Sequence, residues 1–75
     1  MERITLEQIK ENHMIIDALK NKGVRIWSGE WETYWSPGGR GYTPDGLQAG
    51  VWEFEDAYKR TNHCGPEKKI EYRVV

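Results

Sequence analysis

Val24-Arg25-Ile26-Trp27-Ser28-Gly29-Glu30-Trp31-Glu32-Thr33-Tyr34-Trp35 is the stretch on which the fold turns. Val24 and Ile26 alternate with Arg25 and Trp27, which is the two-residue period of a strand buried on one side. Ser28-Gly29 is a plausible tight turn. Beyond it, Glu30 to Trp35 alternates again, with Trp31, Thr33 and Trp35 on one side and Glu32 and Tyr34 on the other. Two such runs in succession predict an antiparallel hairpin. Its rings also raise a question of placement, because one small core cannot take both faces. Trp31 and Trp35 are expected inside, while Trp27 and Tyr34 are the surface aromatics and candidate interface residues.

On the N-terminal side, Thr5-Leu6-Glu7-Gln8 has the form of a capping box and Ile4 and Ile9 stand as a hydrophobic staple, so a helix starts here. Leu6, Ile9, His13, Ile16 and Leu19 recur at helical spacing, with Met14, Ile15 and Ala18 widening the apolar face. Gly23 is placed to end that helix in the left-handed conformation. On the C-terminal side, a second helix is expected from near Glu53, burying Phe54, Ala57, Tyr58 and Thr61 and stopping at Cys64-Gly65-Pro66. Lys68 to Val75 alternates, with Ile70, Tyr72 and Val74 on one face. It predicts a strand packed on one side only. The expected fold is α+β, a single domain over residues 1–75 in the order α-β-β-loop-α-β. Its sheet is three-stranded, antiparallel or mixed, with both helices on one face.

Between hairpin and second helix lies a long segment without a regular period, within the stretch Trp31 to Gly50 that holds five of the eight glycines and two of the three prolines. Loops of that length in compact domains tend to carry function. Pro37 and the glycines rule out a central strand, Thr43-Pro44-Asp45-Gly46 reads as a turn, and Leu47 to Val51 as a single helical turn.

Composition narrows the function classes. Eleven Lys and Arg against twelve Asp and Glu leave a net charge of −1, too little cationic field for non-specific duplex binding. The N-terminus is too charged for a signal peptide and no apolar run could span a bilayer, so no membrane role is expected. One cysteine, Cys64, excludes an internal disulfide. The cytoplasm is the expected location. A chain of 75 residues builds only a modest core, and oligomerisation is the support left open, so a homo-oligomer is expected.

The run from Tyr34 to Ala57 resembles a pattern found in small uncharacterised proteins of bacteriophages and prophages. The matching residues are Trp35, Pro37, Gly41-Tyr42-Thr43, Ala49-Gly50, Glu55-Asp56 and Ala57, about a third of the chain. The resemblance implies an origin rather than a mechanism. By analogy of lifestyle alone, the resemblance implies action by binding, as is often the case for short phage proteins, either blocking a host protein or sequestering a host signalling molecule.

Candidate chemistry centres on Gly38-Gly39-Arg40-Gly41. Consecutive glycines can present backbone N–H groups as an anion nest, and Arg40 adds a planar fork for phosphate. Trp35 and Tyr42 could stack on a base. With Thr43, and with Arg25 or Arg73 reaching in from the sheet, these residues form the candidate ligand site. The plainer reading is a flexible loop whose aromatics fold back on the core, since the loop lacks the Lys-Ser/Thr ending of a phosphate loop. His13, His63 and Cys64 match no metal spacing. No nucleophile elbow or His-Glu-x-x-His motif is present, so neither catalysis, nor a metal, nor a cofactor is expected. The expected function is non-enzymatic sequestration of a small anionic ligand, such as a nucleotide signal, to counter host defence. The rivals are inhibition of a host enzyme through the aromatic hairpin and binding of single-stranded nucleic acid.

Overall fold

In a computed structural model that describes residues 3–75, Gly23–Ser28 forms the strand (β2) on which the sheet is built. The other strands are β1 (Arg3–Thr5), β3 (Thr33–Trp35), β4 (Tyr42–Thr43), β5 (Trp52–Glu53) and β6 (Ile70–Val74). The helices are α1 (Leu6–Glu11), α2 (Met14–Leu19) and α3 (Phe54–Thr61). Met1 and Glu2, which the single-domain expectation included, lie outside the described residues. All strand pairs are antiparallel, in the order β1-β6-β2-β3-β4. β2 pairs with β6 along one edge; its other edge takes β5 at Gly23 and Val24 and β3 at Trp27 and Ser28. The fold is therefore α+β, with a sheet of six strands rather than the expected three. The additional strands are two or three residues long, too short to leave an alternation in sequence.

One face of the sheet meets the helices. Val24, Ile26, Ile70 and Tyr72 point there and enclose a core with Leu6 and Ile9 of α1, Leu19 of α2, and Phe54 and Ala57 of α3. At its centre Tyr72 is fully buried, with its hydroxyl 2.6 Å from Thr61 Oγ1. Thr61 donates its own proton to the Ala57 carbonyl at 2.8 Å, which makes the Tyr72 hydroxyl the donor in the pair. Burial pushes the Tyr72 phenol up to about 12. None of the helices in the described residues is long and apolar enough to cross a membrane.

The capping box at Thr5 forms as expected: Gln8 N–H donates to Thr5 Oγ1 at 3.0 Å and Thr5 N–H to Gln8 Oε1 at 2.8 Å. The single first helix does not. It breaks at Asn12, whose extended backbone ends α1 while its side-chain oxygen accepts the Met14 N–H at 3.1 Å. Asparagine offers the backbone this local alternative to a continuous helix. The break turns His13 and Met14 outward, against the expected inward face. Asn21, with φ +67°, takes the left-handed position assigned to Gly23, and Gly23 instead lies in β2 between the side chains of Val51 and Val75.

The hairpin pairs Trp27 with Tyr34 and Ser28 with Thr33, so its connection is Gly29 to Glu32 and not the Ser28-Gly29 turn. Gly29 and Glu30 donate their N–H groups to the carbonyls of Lys69 and Lys68, which draws the connection onto the start of β6. Lys68 Nζ meets Glu30 Oε1 at 3.1 Å, and that bond and charge raise the Lys68 pKa. Trp31 is thereby excluded from the strand and stands 65% exposed, which corrects its expected burial. Leu47 to Val51 forms no helical turn: the chain bends at Asp45–Gln48 and enters β5.

Candidate functional site

Among the described residues the helices pack on one face of the sheet, and its other face carries the charged and aromatic side chains of the central strands. Because Ile26 and Tyr72 point into the core, Arg25 and Trp27 of β2 and Glu71 and Arg73 of β6 point away from it. Registration then brings like charges together: Arg73 stands opposite Arg25 on β2 and opposite Arg3 on β1. Cross-strand like charges are ordinarily unfavourable by a few tenths to about 1 kcal/mol.

Aromatic rings hold Arg73 in this row. Its guanidinium carbon lies 4.1 Å from the Trp27 ring centroid and 5.4 Å from that of Tyr34, and Nη1 donates to the Tyr34 hydroxyl at 2.8 Å. The two rings meet edge to face with centroids 4.9 Å apart. Only 13% of the Arg73 side chain is exposed. Glu71 approaches from the same strand, with Oε1 3.5 Å from Arg73 Nη2, an ion-pair distance too long for a good hydrogen bond. Among the described residues, Nε of Arg25, Nε of Arg73 and Oε1 of Glu71 are buried without a hydrogen-bond partner. A buried N–H left unpaired costs about 1–3 kcal/mol, and more when the group is charged.

The glycine loop forms a second, separate group. Trp35 turns to the core side of the sheet, edge-on to Trp52 at 6.4 Å and to Tyr42 at 6.5 Å. Pro37–Gly39 make a short 3-10 turn, with φ +69° at Gly38 and +71° at Gly39, and Gly41 follows at +89°. Gly39 spends its N–H on the Ser36 carbonyl, so the expected anion nest loses a donor. Arg40 is exposed, and a Cβ at Gly38 would lie 3.9 Å from its Nε. Arg60 of α3 comes to the same turn, with Nη1 3.8 Å from where a Gly39 Cβ would stand. Arg60 is a cation that sequence reasoning missed; its i, i+4 pair with Asp56 is visible in sequence, but which way α3 faces is not. Thr43 is buried and accepts the Asp45 N–H at 3.2 Å, which makes it a turn residue.

The residues expected to form one ligand site thus divide. Trp35, Gly38, Gly39, Arg40 and Tyr42 gather at the loop, while Arg25 and Arg73 lie on the outer face with Trp27 and Tyr34. Trp35, Gly39, Gly41 and Tyr42 line a cleft of about 100 Å³. Small-molecule sites usually measure about 300–1,000 Å³, so within one chain this cleft has room for a phosphate-sized group and not for a nucleotide. No group of three or more His, Cys, Asp or Glu among the described residues could hold a metal ion.

No family model matches this chain. Neither the curated proteins nor the solved structures yield a match to it. The functional reading therefore rests on the two groups just described.

Proposed function

We propose that this is a non-catalytic binding protein that docks on a partner protein through the outer face of its sheet and receives an acidic side chain of that partner between Arg25 and Arg73. The observation that carries the reading is the pair of buried, unpartnered Nε donors on two arginines held side by side. Glu71 lies 3.5 Å from Arg73 Nη2 but bonds neither Nε, so a second carboxylate is the group that would pair those donors and offset the like-charge contact, and an arginine fork fits it in geometry. Trp27, Tyr34 and Arg73 are also the residue types that dominate binding energy at protein interfaces. The helices pack on the opposite face and, among the described residues, no enclosed cleft is lined by Arg25 or Arg73, which suits a macromolecular surface better than a small molecule needing enclosure. Taken with the resemblance to phage proteins, the partner is a host protein and the place of action the host cytoplasm.

Photo-crosslinking tests this reading. A crosslinking residue at Trp31, in the hairpin connection, is expected to capture a defined host protein, and Arg73→Gln to abolish that capture while the fold persists. Equal capture from a crosslinker at Glu55 on α3, or capture indifferent to Arg73→Gln, would overturn it.

A second reading is favoured by the convergence of Arg40 and Arg60 on Gly38 and Gly39 beside the Trp35/Tyr42 cleft. There the protein withholds a small anionic ligand such as a nucleotide signal, with a second copy of the chain closing over what the small cleft leaves outside. Native mass spectrometry of freshly purified protein separates the two: a homo-oligomer carrying nucleotide-sized extra mass that Arg40→Ala removes supports the second reading against the first.

A further inference from the structure

Two guanidiniums reach the Gly38-Gly39 turn from different elements. Arg40 comes from the loop itself, with Nε 3.9 Å from where a Gly38 Cβ would stand, and Arg60 comes from α3, with Nη1 3.8 Å from where a Gly39 Cβ would stand. Arg40 makes no ion pair among the described residues. Arg60 has the Asp56 carboxylate beside it, but that contact is made by Nε at 3.5 Å on half-exposed side chains and leaves Nη1 turned to the loop. Two guanidiniums against one carboxylate leave the turn a net positive charge. Its own hydrogen bonds run from the Gly39 N–H to the Ser36 carbonyl and from the Ser36 N–H to the Gly41 carbonyl, so the N–H groups of Arg40 and Gly41 donate to no described residue.

We infer that this loop binds the terminal phosphate of a small phosphomonoester and reads the phosphate rather than the group that carries it; the inference rests on the second reading's choice of the loop as the site and narrows its ligand. The rings do not make a base sandwich. Trp35 and Tyr42 stand at 89° to each other, so no flat ligand lies against both, and Trp35 also meets Trp52 edge-on. The cleft of about 100 Å³ beside them holds a phosphate-sized group, which leaves the rest of the molecule outside.

The donors select the class of anion. The Arg40 fork, Arg60 Nη1 and two backbone N–H groups meet the turn from more than one side. A phosphomonoester brings three terminal oxygens and a charge of about −1.5 to −2 at neutral pH, enough to answer most of them. A diester brings two free oxygens and a single charge, and its chain must leave on both sides. A carboxylate brings two oxygens in one plane and a single charge, and answers fewer donors still.

The test is two-dimensional NMR of the whole chain at pH 8 and fixed ionic strength, titrated with methyl phosphate, dimethyl phosphate, ribose 5-phosphate and adenosine 5′-monophosphate. Methyl phosphate is expected to shift the Arg40 and Gly41 amides and the Arg60 Nε–Hε signal saturably in the millimolar range, and dimethyl phosphate to bind several-fold more weakly. Ribose 5-phosphate and adenosine 5′-monophosphate are expected to bind within about threefold of each other, and Arg40→Gln or Arg60→Gln to weaken methyl phosphate about threefold. No saturable shift, equal binding of the monoester and the diester, or indifference to both substitutions in folded protein would overturn the inference. A larger preference for adenosine 5′-monophosphate over ribose 5-phosphate would also overturn it, while leaving the second reading in place with the base recognised. The second reading fails separately, as protein that binds methyl phosphate at the loop yet carries no nucleotide-sized mass when freshly purified.

Discussion

Arg73 faces Arg25 directly across the β2–β6 ladder, and neither donates its Nε to any described residue. Two like charges in register ordinarily weaken a sheet by a few tenths to about 1 kcal/mol, and under the docking proposal the pair is there to receive a carboxylate. Trp27 and Tyr34 lessen the cost by presenting their rings to the Arg73 guanidinium.

Removing one member of the pair separates stability from binding. Arg25→Thr keeps a good strand former and relieves the repulsion, and it is expected to raise the melting temperature by a few degrees, equivalent to about 0.5 kcal/mol. The same substitution is expected to weaken partner capture at least tenfold. Calorimetry showing a fall of several degrees would mean that Arg25 supports the fold.

The core pair gives a pH signature. Tyr72 is raised to about 12, first by burial, whereas an unfolded tyrosine titrates near 10. Its contribution is fully present below pH 10 and declines as pH rises towards 12, because the unfolded chain loses the proton first; the loss is about 2–3 kcal/mol. Tyr72→Phe is expected to cost about 1 kcal/mol at neutral pH through the lost bond to Thr61, and to show a shallower decline above pH 10. Urea melts of both proteins at pH 7, 10 and 11 check the crossing of the two trends; parallel curves would contradict it.

Gly29 holds the hairpin connection against β6. A Cβ there would stand 2.6 Å from Lys69 Cβ and 2.9 Å from the Lys69 carbonyl oxygen that its own N–H bonds. Gly29→Ala is therefore expected to destabilise by about 1–3 kcal/mol. Gly41→Ala meets no neighbouring atom and suffers only from its positive φ, so chemical denaturation should show a smaller cost there, about 1 kcal/mol.

The tryptophans divide the same way. Trp31 is 65% exposed and Trp52 8%. Trp31→Ala is expected to change stability by less than about 0.5 kcal/mol, and Trp52→Ala to cost about 3–5 kcal/mol. Equal losses in thermal melts would show that Trp31 packs after all.

The sequence disclosed those parts of the fold that are governed by local chemistry. The Thr5/Gln8 box, the inward Phe54, Ala57 and Thr61 of α3 and the alternation of Ile70 and Tyr72 each follow from a period or a cap, and each forms. What it hid depends on distant partners. β1, β4 and β5 exist because β6, β3 and β2 supply their hydrogen bonds, and no pattern two or three residues long announces that. Trp31 leaves the strand because Gly29 and Glu30 bind Lys69 and Lys68, far on in the chain. The candidate site suffered most. From the sequence Arg25 and Arg73 are candidates to complete the Arg40 site, but strand alternation turns them to the face away from the core, and only the register of β6 against β2 makes them neighbours.

The central claim is that the Arg25 and Arg73 Nε groups wait for a carboxylate, and their Nε–Hε NMR signals report on it directly. Titration of the folded chain with a short blocked glutamate peptide is expected to shift both signals together, downfield and saturably, with the loop signals of Gly38 and Gly39 unmoved. If the loop signals move while the two arginine signals stay in place, the outer face is not the docking site.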